Sequence, residues 1–194
     1  DALLAIAVAL LARELRPGSR LLAVAAVTFA LPTVMLNSAA WGQCDALYVS
    51  LMIFGLRFVC RDKLNLASVF FAMALAIKLQ AIVIAPVLVV VWWYKRRPLV
   101  PLVVGASVFA ALSVPPVAFG RPLADVFTTY LHQTQEFGGI TVNAPNVYQW
   151  WSGVDVGLAT RLAIVLSALS LASLAALAYS RRRPVTSRSL VAYA

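Results

Sequence analysis

Residues 64–94 read LNLASVFFAMALAIKLQAIVIAPVLVVVWWY, and whether they form one membrane span or two decides the fold. As a single helix the stretch would run about 46 Å at 1.5 Å per residue. The hydrocarbon core of a bilayer is only about 30 Å thick. Lys78 and Gln80 interrupt the run near its middle, and Pro86 follows. Charge decides between the two readings. With two short spans, the connections 13–20, 57–63, 95–97 and 181–188 fall on one side. They carry three, three, three and four basic residues, 13 of the 16 Lys and Arg. With one long span, Lys95-Arg96-Arg97 and Arg181-Arg182-Arg183 would lie opposite the first two groups. Positive residues collect on the cytoplasmic side. The hairpin is therefore expected, with all four connections cytoplasmic and two spans shorter than about 20 residues, shielded by neighbours or by local bilayer thinning.

The rest of the chain follows the same pattern. Apolar segments occupy 2–12, 21–36, 46–60, 64–77, 79–94, 98–118 and 157–179. Hydrophobic residues are 62% of the 194 positions, charged ones 12%, and mean hydropathy is +0.89. A soluble domain of this size cannot hide so much apolar surface in one core. The expected fold is all-α, a polytopic transmembrane helical bundle of about seven segments with the first truncated, forming a single domain over 1–194. A net charge of +9 would suggest nucleic acid in a soluble protein, but clusters of cations between apolar runs read as topology, so no nucleic-acid partner is expected. The opening at Asp1 inside an apolar run lacks a basic n-region and cleavage site, so it is not a signal peptide, and the chain reads as a piece of a longer one. Cys44 and Cys60 would lie about 24 Å apart on one helix, beyond disulfide reach.

Under this topology the outer face carries Asn37 to Asp45, the Lys78 turn and a long loop, 119–156. Five of the seven acids (Asp1, Asp45, Asp125, Glu136 and Asp155) lie on or near it. A connection of that length is usually functional or separately structured. It is rich in polar and aromatic groups, among them Tyr130, His132, Asn143, Asn146, Tyr148, Trp150 and Trp151. The densest polar cluster is Asn37-Ser38-Ala39-Ala40-Trp41-Gly42-Gln43-Cys44-Asp45, followed by Tyr48. If the helix of 21–36 continues, Asn37, Trp41 and Asp45 recur every four residues on one face. Such a stripe can orient a sugar, with hydroxyls on Asn37 and Asp45 and the ring on Trp41; it can equally be an interfacial cap in an aromatic belt.

Lys78 with Gln80 is the second cluster. A lysine in an apolar run is a functional candidate by default, at a cost of about 3 kcal/mol at the bilayer centre. It can stabilise a departing phosphate, or snorkel to the headgroups. Arg121 and Arg161 can bind a phosphate or anchor lipid headgroups. No metal-ligand spacing and no dinucleotide, Walker or nucleophile-elbow motif occurs, so neither cofactor nor metal is expected.

The run Pro32-Thr-Val-Met-Leu-Asn37-Ser38-Ala-Ala-Trp41-Gly42-Gln43-Cys-Asp45-Ala-Leu-Tyr48, then Ala76-Ile-Lys78-Leu-Gln80 and Ala85-Pro86, resembles the GT-C membrane glycosyltransferases. It is most similar to the mannosyltransferase group related to the second mannosyltransferase of glycosylphosphatidylinositol anchor synthesis, with its bacterial relatives. Asn146-Val-Tyr148-Gln-Trp150 resembles a later segment of that group, and Asp1 an Asp just before this region. The resemblance covers essentially the whole chain, which corresponds to the central part of such an enzyme. It implies an inverting hexosyltransferase that takes a sugar, mannose by this likeness, from a polyprenyl-phosphate donor at the extracytoplasmic face. It places the substrate on Asn37, Trp41, Gln43, Asp45, Lys78, Gln80, Asn146 and Tyr148. The catalytic base is expected upstream, so this piece alone would be inactive, and Asp45 is assigned to substrate orientation. The expected partners are the donor and membrane lipids, and the expected location is the bacterial plasma membrane, multi-pass. A transporter or flippase for a lipid or small solute would also use broken helices and an intramembrane lysine. A membrane scaffold would have no use for the Trp-Gly-Gln-x-Asp cluster.

Overall fold

The computed structural model describes residues 1–40, 42–85, 88, 99–133, 153 and 155–180. Every regular element among them is helical. The described residues divide into two units, Asp1–Val114 and those from Pro115 onward.

The first unit is built on four helices: α1 (Ala2–Leu15), α2 (Leu21–Ala30), α4 (Asp45–Cys60) and α5 (Leu64–Ile77). Helix α1 packs against both α2 and α4, and α4 packs against α5. Small residues permit these close approaches, as between helices in lipid. Ala5, Ala7 and Ala9 are buried on α1, and Ala67, Ala72 and Ala74 on α5. At Gly55 on α4 an added Cβ would stand 2.6 Å from the Phe71 ring. Phe54 and Phe58 lie against Phe70, with centroids 5.6 and 5.3 Å away. The tight turn 61–63 folds α5 back along α4, with Asp62 at φ +59° and the Lys63 N–H donating to Phe58 O at 2.9 Å.

Helix α2 stops at Ala30 for a local reason. Leu31 precedes a proline and is forced extended (φ −62°, ψ 123°). Thr28 already bonds back to Val24 O at 2.8 Å, which bends helices. The short α3 (Pro32–Met35) then leaves at 57° to α2 and passes into a π-helical turn, Leu36–Ala40. Gly42 (φ +61°) turns the chain toward α4 in the left-handed region that suits glycine.

Lys78 ends α5 in an extended conformation (φ −152°, ψ 129°), and a 3-10 turn, Leu79–Ile84, follows. The chain reverses here. Ala81 packs beside Leu51 and Ala74, while Ile84 and Leu88 pack against Val59, Cys60, Ala67 and Phe71, nearer the other end of the helices. Helix α6 (Val100–Ala118) then starts beside the 62–66 turn. Val100 and Pro101 share a hollow of about 470 Å³ with Asp62 and Lys63. Further along, Gly105 lies over Ser68. Lys63 and Val100 therefore sit at one end of the unit, as a turn at Lys78 requires. Pro86, the basic run 95–97 and the run 181–188 fall outside the described residues.

Helix lengths differ from the expected seven spans. Among the described residues only α6, 19 residues long, is by itself long and apolar enough to cross a membrane. The bent pair Leu21–Ala30 with Pro32–Ser38 passes the same test when taken together. Helices α1 and α5, of 14 residues each, would reach only about 21 Å. Leu22, Phe29, Val103 and Ile82 are among the many large apolar side chains left exposed.

The second unit contains the end of α6, then α7 (Leu123–Gln133) and α8 (Val156–Ser180). Helix α7 lies in the expected long loop. Asp155 caps α8, its Oδ1 accepting the Leu158 N–H at 2.7 Å. The α8 side chains described at 160–170 are exposed.

Candidate functional site

The expected polar cluster assembles at one end of the first unit, where the N-termini of α1 and α4 and the C-terminus of α5 meet. Asp45 opens α4, where a carboxylate is favoured by the helix dipole. Its Oδ2 accepts a hydrogen bond from Asn37 Nδ2 at 3.2 Å, and its Oδ1 takes an ion-paired hydrogen bond from Lys78 Nζ. The same ammonium stands 5.5 Å from the centroid of the Tyr48 ring. Alongside, Ser38 Oγ donates to Asp1 Oδ1 at 2.5 Å, tying the π turn to the head of α1.

Asn37 and Asp45 are not joined by a continuation of the helix. Eight residues apart on a continuous helix, the two would be separated by about 12 Å along the axis. The helix instead breaks at Leu31 and again after Ala40. The Gly42 N–H donates to Ser38 O and the Gln43 N–H to Asn37 O, each at 3.1 Å, closing a compact turn. A π turn adds one residue per turn and re-aims side chains, a feature common at functional sites. The i,i+4 stripe is thus replaced by a folded turn that brings an amide directly onto a carboxylate.

Lys78 reaches the same place because the 3-10 turn halts α5 one residue short of it. Lys78 lies at the turn between two apolar segments. Burial works against its charge most strongly, but the hydrogen bond and the charge of Asp45 together outweigh it, so its pKa lies above the ordinary lysine value. With side chains 27% and 29% exposed, the Lys78–Asp45 pair is reachable from outside.

The other expected site residues divide. Gln43 and Gln80 are at this end but exposed, and among the described residues no side-chain contact draws them into the network. Trp41, Asn146 and Tyr148 lie outside the described residues. Arg121 and Arg161 are exposed residues of the second unit. Two participants received little weight from the sequence. The Ser38 hydroxyl lay inside the quoted motif, and its partner Asp1 is separated from it by 37 positions. Among the described residues no group of three or more His, Cys, Asp or Glu is placed to hold a metal ion.

The opposite end of the unit is basic. Arg13, Arg16, Arg20, Arg57, Arg61 and Lys63 gather there with only Glu14 and Asp62 as acids. Glu14 Oε1 accepts from Arg57 Nε at 3.3 Å and from Arg61 Nε at 2.7 Å. Beyond the apolar part of α1, the hydrogen bond from Arg61, against a smaller opposing effect of burial and with the charges of both arginines, holds the Glu14 pKa below the ordinary carboxylate value.

The arrangement can hold a polar, phosphate-bearing ligand. A carboxylate offers about four lone-pair sites and an ammonium three donors, more than the contacts within the network consume. The model of glycosyltransferase family 87 matches residues 1–194, the whole chain. No curated protein and no solved structure matches. The family match supports the expected membrane glycosyltransferase and speaks against the transporter reading.

Proposed function

Because the chain belongs to glycosyltransferase family 87, we propose that it is the substrate-holding part of a multi-pass enzyme that transfers mannose from a polyprenyl-phosphate donor at the extracytoplasmic face. The observation that carries this reading is the Asn37–Asp45–Lys78 network at the end opposite the arginine cluster. If the basic end faces the cytoplasm, the network lies at the outer boundary, where a lipid-linked sugar would present its phosphate.

In this reading the polyprenyl chain lies along exposed apolar helix faces, and the phosphate meets Lys78. Asp45 and Asn37 take sugar hydroxyls. The Lys78–Asp45 pair holds the ammonium in place before the donor arrives. Positioned charge of that kind stabilises the negative charge that grows on the leaving phosphate. Inversion needs a carboxylate to accept the acceptor's proton. Asp45, already bonded through both oxygens, is assigned to orientation, and the base is a separate carboxylate.

The test is transfer from polyprenyl-phosphate mannose by the intact protein in membranes. Lys78→Met and Asp45→Asn should each lower the rate about 100-fold or more, the range seen when one transition-state donor is removed. Wild-type rates for both variants would overturn the site. Transfer of a different sugar with the same sensitivity would overturn mannose alone.

A further inference from the structure

A polar hollow lies at the basic end, about 510 Å³ in volume, between α1, the 16–20 turn and α4. Its walls include Leu10, Arg13, Glu14, Gly18, Arg57 and Arg61. Three arginines and one carboxylate line it, so the hollow keeps an excess positive charge. Glu14 is well covered, with 12% of its side chain exposed, and Arg57 likewise at 16%, whereas Arg61 is 41% exposed. Arg13 is exposed as well. Arginine's planar fork suits phosphate oxygens.

An adjoining hollow of about 550 Å³ shares Arg13 and continues along Ser19, Arg20, Leu21 and Leu22. Leu22 is 87% exposed. An anionic head beside an exposed apolar strip describes a molecule that is charged at one end and oily at the other. A soluble phosphate would have no use for the strip.

We propose that the arginine hollow binds the phosphate of an anionic phospholipid, whose acyl chain lies along the start of α2 at Leu22. The site is distinct from the Asp45–Lys78 network and stands independently of the transferase reading. Glu14 competes with the lipid phosphate for the two arginines. That competition gives the proposal a signature that a purely structural ion cluster lacks: removing Glu14 should tighten binding, whereas removing Arg13 should weaken it.

The test uses the intact protein in neutral detergent, titrated with phosphatidylglycerol or phosphatidylcholine, with bound lipid read by native mass spectrometry. Phosphatidylglycerol should bind about tenfold more tightly than phosphatidylcholine, whose choline cation the excess arginine charge repels. Arg13→Gln should weaken phosphatidylglycerol about tenfold, and Glu14→Gln should strengthen it by a few-fold. Leu22→Ser should weaken the lipid but leave glycerol phosphate unaffected. Equal binding of the two lipids, or weaker binding in Glu14→Gln while the protein stays monodisperse, would overturn the proposal. Glycerol phosphate binding as tightly as the lipid would assign the hollow to a soluble phosphate and overturn the lipid.

Discussion

Asp45 holds Lys78 through one oxygen and Asn37 through the other, yet all three remain partly accessible. Ion pairs this exposed contribute about 0–1 kcal/mol to stability. Lys78→Met is therefore expected to leave the melting temperature within a few degrees of wild type while transfer collapses. A large loss of stability would make the pair structural instead. Glu14 gives a separate prediction with a definite sign. Its pKa is lowered in the folded protein from the ordinary value of 4.5. The ionised form is thus favoured by folding, and the contribution is complete above about pH 5 and fades as pH falls through the lower folded pKa. The melting-temperature gap between wild type and Glu14→Gln should be constant from neutral pH to about pH 5 and narrow below it. A gap that widens on acidification would refute the assignment. At this scale the sequence singled out three residues that the structure brings into contact, by their chemistry: an amide, a carboxylate and a lysine in apolar surroundings are each conspicuous. It did not reveal that Asn37 touches Asp45, because contact depends on where the helix breaks.

The elements explain those breaks. Pro32 compels Leu31 out of the helix, and Gly42 provides the positive φ that turns the chain back. Both residues were visible, but the apolar segment was read to 36, and the stripe of Asn37, Trp41 and Asp45 held only if the helix continued past it. No periodicity argument anticipates a π turn, which depends on how the chain closes against α1 and α4. The Lys78 break was legible because a cation in an apolar run has few stable places other than a turn. Packing between α4 and α5 makes its own prediction. Gly55→Ala would drive a methyl into the ring of Phe71, which is only 6% exposed. Overpacking of this kind costs about 1–3 kcal/mol. The single variant should melt lower, and Gly55→Ala with Phe71→Leu should recover part of the loss. An additive double variant, measured by thermal unfolding in detergent, would show that the contact is not the cause.

For the molecule as a whole, the arrangement of charge is the fact that orients it. In the first unit the acidic and amide network occupies one end of the helices and six cations the other. Composition pointed to a membrane, the family match supports it, and the 13-to-3 split of cations gave the expected direction. Helix length did not support the same count of spans: among the described residues only α6, and α2 with α3 taken together, meet the length and apolarity a crossing needs. Two natural markers test the orientation. Cys44 is exposed beside Asp45, while Cys60 is buried near the basic end. In intact cells an impermeant maleimide should label Cys44. In a Cys44→Ser background, Lys63→Cys and Leu99→Cys should label only after permeabilisation. The pairing matters more than either result alone, because positions 63 and 99 lie at one end only if the chain reverses at Lys78. Labelling of Leu99→Cys from outside, with Lys63→Cys protected, would restore a single long span through 64–94. It would also move the lysine away from the outer boundary, where the proposed donor phosphate waits.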